Sequence, residues 1–422
     1  MGIIKRNILG LNLYYIPIKK FKTIEVFFVY TNEMNPETFN EKNFLSEILL
    51  DSTKKYPSTD ELKTVCDNLY GLSKVNYYHY EGSLDISMFI INSVSDKYLE
   101  EDNIFSKAFD VLLEMIYNPK KYKGLIPKKS VKEKLSQAED LLLSMKLNKN
   151  TYTYQQFMRQ YTRNCSDKSA YFPETRYLKQ VTNETISKTY EKMINEDHLQ
   201  VFIGGDFDFN EMDQLVLSKL KRINIHPSKK YEFKPQFNSS PEMNYVVEKT
   251  SSGQTRVYIG YDLGFSHNQR NSLIMSLFNE LFGGFENSKL FYNIREKLQL
   301  SYYVYSYYSP GNHLFYVNLE TSKVNLDKAI NEVYNQLVSC QKGDIDDELF
   351  NQAKNNLVNH LETTVDSQTK LMIYNIVDYI RYNQSFDIEK RMKIIEDIKK
   401  EELVDLIKNI KVDTTYVYTS KE

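Results

Sequence analysis

The chain can be laid on itself. A shift of 228 residues carries Leu62 onto Leu290, Leu72 onto Leu300, Ser73 onto Ser301 and Tyr77 onto Tyr305. One such coincidence means nothing, but the order of elements around these positions repeats as well. In the first half, residues 3–31 read as a strand pair, with Thr23–Tyr30 strongly β-forming. A polar insert, TNEMNPETFNEK, leads to a helix at Asn43–Leu50. A strand pair follows, Val75–Tyr80 and Ser83–Ile91, turned at Glu81-Gly82. Helical patterning then covers about 97–118, 130–147 and most of 150–197, before a closing strand at Leu199–Gly205.

The second half runs the same way. Arg256–Asp262 reads as strand. A helix with Leu273, Ile274, Leu277, Leu281 and Phe282 on one stripe comes next, and a short helix follows at about Ser288–Lys297. Gly283-Gly284 should end the first of these by taking positive φ. The strand pair Ser301–Tyr308 and Leu314–Leu319 turns at Pro310-Gly311, helices occupy 324–340 and 347–365 and continue beyond, and Thr415–Thr419 closes as strand. The Pro-, Ser-, Lys- and Asn-rich segment Ile225–Asn244 between the copies reads as a linker. The division expected is therefore 1–224, 225–244 and 245–422, two copies of one α+β unit.

A chain of 422 residues exceeds one ordinary core, consistent with that division. Its net charge of −2 argues against a nucleic-acid or anionic-membrane binder. Cys66, Cys165 and Cys340 are far apart and odd in number, which points to a reducing compartment and no thiolate metal site. The first twenty residues lack a signal-type apolar core and no stretch reaches membrane-spanning length, so a cytoplasmic protein is expected. None of the six histidines lies within five residues of another, so there is no local H-x₃-H pair. The 34 tyrosines gather in strand-like runs; amphipathic sheet faces explain them, and a cavity wall that grips peptide is the sharper alternative.

The stretch Leu273–Ser306, LIMSLFNELFGGFENSKLFYNIREKLQLSYYVYS, resembles the second domain of the pitrilysin/insulinase-type (inverzincin) zinc peptidases, and the likeness extends over nearly the whole chain. It implies two similar α+β domains, each a mainly antiparallel sheet flanked by helices. It also implies that Arg295 of R-E-K and Tyr302, seven residues on, bind substrate and stabilise the transition state. A guanidinium and a phenol suit the oxyanion that forms when zinc-bound hydroxide attacks a peptide carbonyl. Gly283 and Gly284 open a loop, Gly283–Asn287, that corresponds to a glycine-rich substrate loop in the non-catalytic processing-peptidase subunit; here it is short and poor in glycine.

Active members carry H-x-x-E-H on a helix ahead of a K-G-T-x-x-Y-P-type segment. Here Lys55-Tyr56-Pro57 preserves the tail and sets the register, which puts Asn43 and Glu47 at the histidine positions and Ser46 at the general base. The distal carboxylate ligand would fall near Glu139-Asp140. Asn is a poor zinc ligand and Ser cannot serve as the base. The resemblance thus implies the non-zinc subunit of a heterodimeric peptidase, inactive alone and without a cofactor of its own. Arg295 and Tyr302 would act in trans on the zinc site of an H-x-x-E-H partner, and the pair would enclose and process a peptide. Strand addition to a sheet edge, near Tyr77–Tyr80 or Ser83–Ile91, would hold that peptide. Two rivals remain: a non-proteolytic peptide-binding or scaffold homodimer, and an enzyme with a site rebuilt from Glu47, Glu139 and a distant histidine.

Overall fold

Three β-rich runs, not two, open the chain: β1 (Ile4–Ile8), β2 (Leu11–Pro17) and β3 (Thr23–Glu33). The computed structural model describes residues 2–8, 10–163, 178–223, 225, 229–235, 242–251 and 253–421; Cys165 and His226 lie outside them. With β4 (Ser73–Glu81), β5 (Leu84–Val94) and β6 (His198–Gly205) they form a six-stranded sheet, ordered β1-β2-β6-β3-β5-β4. Its strands pair antiparallel except β2 with β6. The second sheet holds β7 (Asn244–Thr250), β8 (Thr255–Asp262), β9 (Ser301–Ser309), β10 (Leu314–Thr321) and β11 (Lys411–Ser420) in the order β7-β11-β8-β10-β9. Here too one pair, β7 with β11, runs parallel.

The two orders superimpose, with β2, β6, β3, β5 and β4 answering β7, β11, β8, β10 and β9. The 228-residue shift carries both ends of β4 onto both ends of β9. The hairpins differ in their turns. Gly82-Ser83 joins β4 to β5, Gly82 taking φ +56°, whereas four residues, Pro310 to His313, join β9 to β10.

Helices fill the intervals between the strands. They are α1 (Phe39–Leu49), α2 (Thr59–Asn68), α3 (Ile104–Tyr117), α4 (Lys128–Leu147), α5 (Lys149–Tyr161), α6 (Asn183–Glu196), α7 (Phe209–Leu220), α8 (Gln269–Asn279), α9 (Leu326–Gln341) and α10 (Asp347–Glu362). After them come α11 (Gln368–Tyr382), α12 (Ile388–Asp397) and α13 (Lys400–Ile407). Helix α1 begins a turn earlier than the polar insert suggested. Asn35 caps the preceding turn by accepting the Glu37 N–H (3.0 Å), Pro36 presets its φ, and Asn40, Glu41 and Lys42 are buried. Strand β7 was hidden because its residues alternate between partly buried and exposed along a sheet edge, a weak apolar signal.

Two compact units result. One gathers residues 1–144, 172–234 and 367–385, the other 145–171, 235–366 and 386–422. The second sheet's apolar face, with Val257, Ile259, Phe315, Val317 and Leu319, packs on the helices of its unit. Its other face is covered by α5, which comes from the first half of the sequence. Phe157 stacks on Tyr258 with ring centres 5.0 Å apart, and the Tyr161 hydroxyl donates to the Tyr261 carbonyl (2.5 Å) and accepts from the Phe315 N–H (3.3 Å). The first sheet is covered reciprocally by α11. Tyr379 lies 4.4 Å from the Tyr14 ring, and Met372 fills the space over Gly204 where any Cβ would collide. Helices therefore cover both faces of each sheet.

Candidate functional site

Helix α1 carries Asn43, Ser46 and Glu47, where the resemblance would put metal ligands and base. Lys42, one residue before Asn43, anchors it. The buried ammonium donates to both Asp85 oxygens (2.8 and 2.7 Å) and to Asp197 (3.2 Å), while Asn32 bonds the other Asp197 oxygen. Burial pushes the Asp85 carboxyl up to about 7 against the pull of Lys42, and the paired carboxylates hold Lys42 above its usual range although burial alone would lower it.

The outer side of α1 is closed by other bonds. Ser46 Oγ donates to the Asn43 carbonyl (2.7 Å) and accepts from Asn76 of β4 (2.8 Å), so the residue at the base position is buried and spent on structure. The Lys74 ammonium donates to the Leu50 carbonyl at the helix end (2.6 Å). Across from Glu47, helix α4 presents Lys134, not a carboxylate. Its ammonium lies 3.0 Å from Glu47 Oε2 and 3.3 Å from Asp51 Oδ2. Burial would lower the Lys134 pKa, but Glu47 and Asp51 outweigh it and raise it. Glu139 and Asp140 face solvent on α4.

These residues do not fit zinc. A divalent ion at Glu47 would meet a fixed ammonium, with an amide and a hydroxyl in place of imidazole and base. Among the described residues, no three His, Cys, Asp or Glu side chains gather to hold a metal ion. The histidines that do meet are distant in sequence: the His267 and His313 rings lie 6.1 Å apart, and burial lowers His313 to about 4. His79 reaches Glu81 (3.9 Å) and His360 reaches Glu280 (3.8 Å).

Arg295 and Tyr302 belong to the other unit. Helix α8 widens at its end into a π-type turn, Glu280–Gly284, and a second π-type segment, Phe291–Lys297, packs beside β9. The glycine pair does not take the positive φ that the sequence suggested. Gly283 has φ −156°, and a Cβ there would come within 2.6 Å of Ser306 N on β9. Glycine is required for close approach of helix and strand.

Arg295 lies with its guanidinium carbon 4.5 Å from the centre of the Phe291 ring, four residues earlier, and its Nε 3.6 Å from Glu296. Tyr302 is 85% exposed. The strand register explains why: Tyr303 faces Glu320 and Ser301 faces Thr321, which leaves Tyr302 without a partner on β10. It is the extra residue of a β-bulge, a device that re-aims a side chain. Ser301 locks the bulge, its Oγ donating to the Glu320 carbonyl (2.6 Å) and accepting the Tyr303 N–H (3.2 Å). Strands β4 and β9 each lie at a sheet edge, so of the two first-unit strands considered for peptide addition β4 is available and β5 is interior.

Sequence reasoning missed Lys134, Asn76 and Phe291. Phe291 left a signal, an aromatic residue one helical turn before Arg295. Lys134 left none, since only packing of α4 on α1 brings it to Glu47.

Two similar α+β units, each a mainly antiparallel sheet flanked by helices, make a two-domain fold shared with solved M16-like peptidase structures. Residues 180–357 match the family model described as the peptidase M16 inactive domain. The chain is 24% identical to the "Probable inactive metalloprotease YmfF" of Bacillus subtilis (strain 168), over 98% of this chain and 96% of that protein. The fold is shared with a conserved protein from Enterococcus faecalis V583 (TM-score 0.92, 21% identity, 100% and 99% of the two chains). A peptidase M16 inactive domain from Pseudomonas fluorescens is also similar (TM-score 0.81, 14% identity, 100% and 99%). The chain is therefore similar, over nearly its whole length, to proteins described as inactive relatives of M16-type peptidases. No helix among the described residues is long and apolar enough to cross a membrane.

Proposed function

We propose that the chain is the non-catalytic subunit of a heterodimeric zinc peptidase and lends Arg295 and Tyr302 in trans to the zinc site of an H-x-x-E-H partner. The zinc belongs to the partner, and a peptide is enclosed and processed between the two. The observation that carries this reading is the bulge at Tyr302: a phenol held 85% exposed by a locked irregularity on an edge strand is shaped to meet something outside its own core. The half-exposed Arg295 guanidinium, steadied on Phe291, supplies the second donor. Preorganised donors of this kind act on charge that develops in the transition state.

The test is peptidase turnover of this chain mixed with an H-x-x-E-H subunit. Arg295→Ala and Tyr302→Phe should each lower turnover by about 10²–10³-fold while the complex still assembles by size-exclusion chromatography. Unchanged turnover would remove the in-trans role. A stable homodimer with no affinity for such a subunit would favour the scaffold instead.

A further inference from the structure

The face of the second sheet that α5 covers is built in rows across three strands. Arg256, Glu320 and Tyr303 form one row, Tyr258, Asn318 and Tyr305 the next, and Gly260, Tyr316 and Tyr307 a third. Helix α5 closes the third row, with Tyr161 over Gly260 and Tyr154 against Tyr258 and Tyr316. The first row and, beyond the covered Tyr258 ring, the Asn318–Tyr305 part of the second line a cleft of about 380 Å³ beside the helix, bounded by Asn150 at the start of α5.

Asn318 lies at the floor of that cleft and is only 8% exposed. Its Nδ2 donates to the Tyr258 hydroxyl (3.1 Å) and more distantly to Tyr305 (3.5 Å), but its Oδ1 has no partner among the described residues. A buried amide oxygen left unsatisfied is costly, and such groups are rare unless something completes them. Asn318 takes no part in the hydrophobic core, which its neighbours Val317 and Leu319 fill from the opposite face of the strand.

We infer that this cleft is a peptide subsite in which a backbone N–H donates to Asn318 Oδ1 and an adjoining apolar or aromatic side chain lies on the Tyr303 and Tyr305 rings. The missing partner must be a donor. A cationic donor is disfavoured because the Arg256 guanidinium stands in the next row and the nearby carboxylate, Glu320, is already engaged with it (3.0 Å). The remaining class is a neutral N–H with an apolar neighbour, which an extended peptide provides. The Tyr303 and Tyr305 rings pack edge to face, their centres 5.2 Å apart at a tilt of 63°, and Tyr303 is half exposed, which leaves an aromatic surface for an apolar side chain. This subsite rests on the peptide-binding part of the proposed function, but not on the partner or on zinc.

The experiment is titration of the full chain with a fluorescent, end-blocked neutral hexapeptide containing one phenylalanine. Parallel titrations use the analogue N-methylated at that residue and the analogue with lysine in its place. For the unaltered chain, N-methylation should weaken binding by about tenfold, the effect of one lost hydrogen bond with its acceptor left buried. Asn318→Leu should weaken the parent peptide similarly and abolish the N-methyl effect, so the two changes are not additive. Tyr303→Ala, at an exposed position that leaves the core intact, should also weaken binding and serves as the check if Asn318→Leu fails to fold. Tightest binding of the lysine peptide, or an N-methyl effect that persists in Asn318→Leu, would overturn the subsite. Peptide binding that Arg295→Ala weakens while Asn318→Leu and Tyr303→Ala do not would overturn the cleft alone. No peptide binding at all would remove the broader reading as well.

Discussion

At the scale of single residues, what stands out is an ammonium, Lys134, beside the helix where the resemblance would put a metal. Glu47 and Asp51 converge on Lys134 at 3.0 and 3.3 Å, an arrangement that offsets part of their charge without any metal ion. Restoring the motif on α1 alone should therefore not restore metal binding. The triple variant Asn43→His, Ser46→Glu, Glu47→His is expected to purify without stoichiometric zinc, because Lys134 still points a positive charge at the site. Adding Lys134→Glu supplies a carboxylate from α4, and zinc content by atomic emission should then rise toward one per chain. Stoichiometric zinc in the triple variant would show that Lys134 is no barrier. That Asn43, Ser46 and Glu47 share one helix was legible in the sequence from its apolar periodicity. Lys134 was not legible, since its role depends on which face α4 turns to α1.

At the scale of elements, the join between α8 and β9 decides how Arg295 and Tyr302 are presented. The π-type turn at Glu280–Gly284 brings backbone against backbone: Ser306 Oγ donates to the Asn279 carbonyl (3.1 Å), and Gly283 leaves no room for a methyl group. Gly283→Ala should destabilise its unit by about 1–3 kcal/mol, the usual cost of forcing volume into a packed contact, read as a lower urea midpoint. Gly284→Ala should cost less, because the nearest atom to its Cβ is at 3.1 Å and not 2.6 Å. Equal midpoints for both variants and the parent would mean that close approach is not what selects these glycines. The pair was readable as a helix stop, but for a different reason: local sequence suggests φ, whereas the strand packed alongside sets the constraint. The bulge at Tyr302 was likewise invisible, because a bulge is a property of two strands in register and not of one.

At the scale of the whole molecule, the repeat is not a simple tandem array. Helix α5 is coded in the first half and completes the second sheet; α11 is coded in the second half and completes the first. A fragment of residues 245–422 lacks Tyr154, Phe157 and Tyr161, so Tyr258, Tyr316 and Gly260 lose their cover. It is expected to lack cooperative unfolding by circular dichroism. The same fragment with residues 145–163 joined at its N-terminus through a flexible linker should recover a sigmoidal melt. Cooperative melting of residues 245–422 alone would show that α5 is dispensable to the core.

Period-2 and period-3.6 patterning depends only on neighbours along the chain, so the sequence by itself determined most of the strands and helices and their repeat, though not the weakly apolar edge strand β7, and it put Asn43, Ser46 and Glu47 on one helix. It also singled out Arg295 and Tyr302 through a short contiguous pattern. Tertiary structure alone decided which helix covers which sheet, which strand is an edge, which charge answers Glu47 and which amide is left without a partner. Each of those depends on contacts between residues far apart in the chain, and a buried polar residue such as Asn318 reads the same in sequence whether its bonds are made or missing.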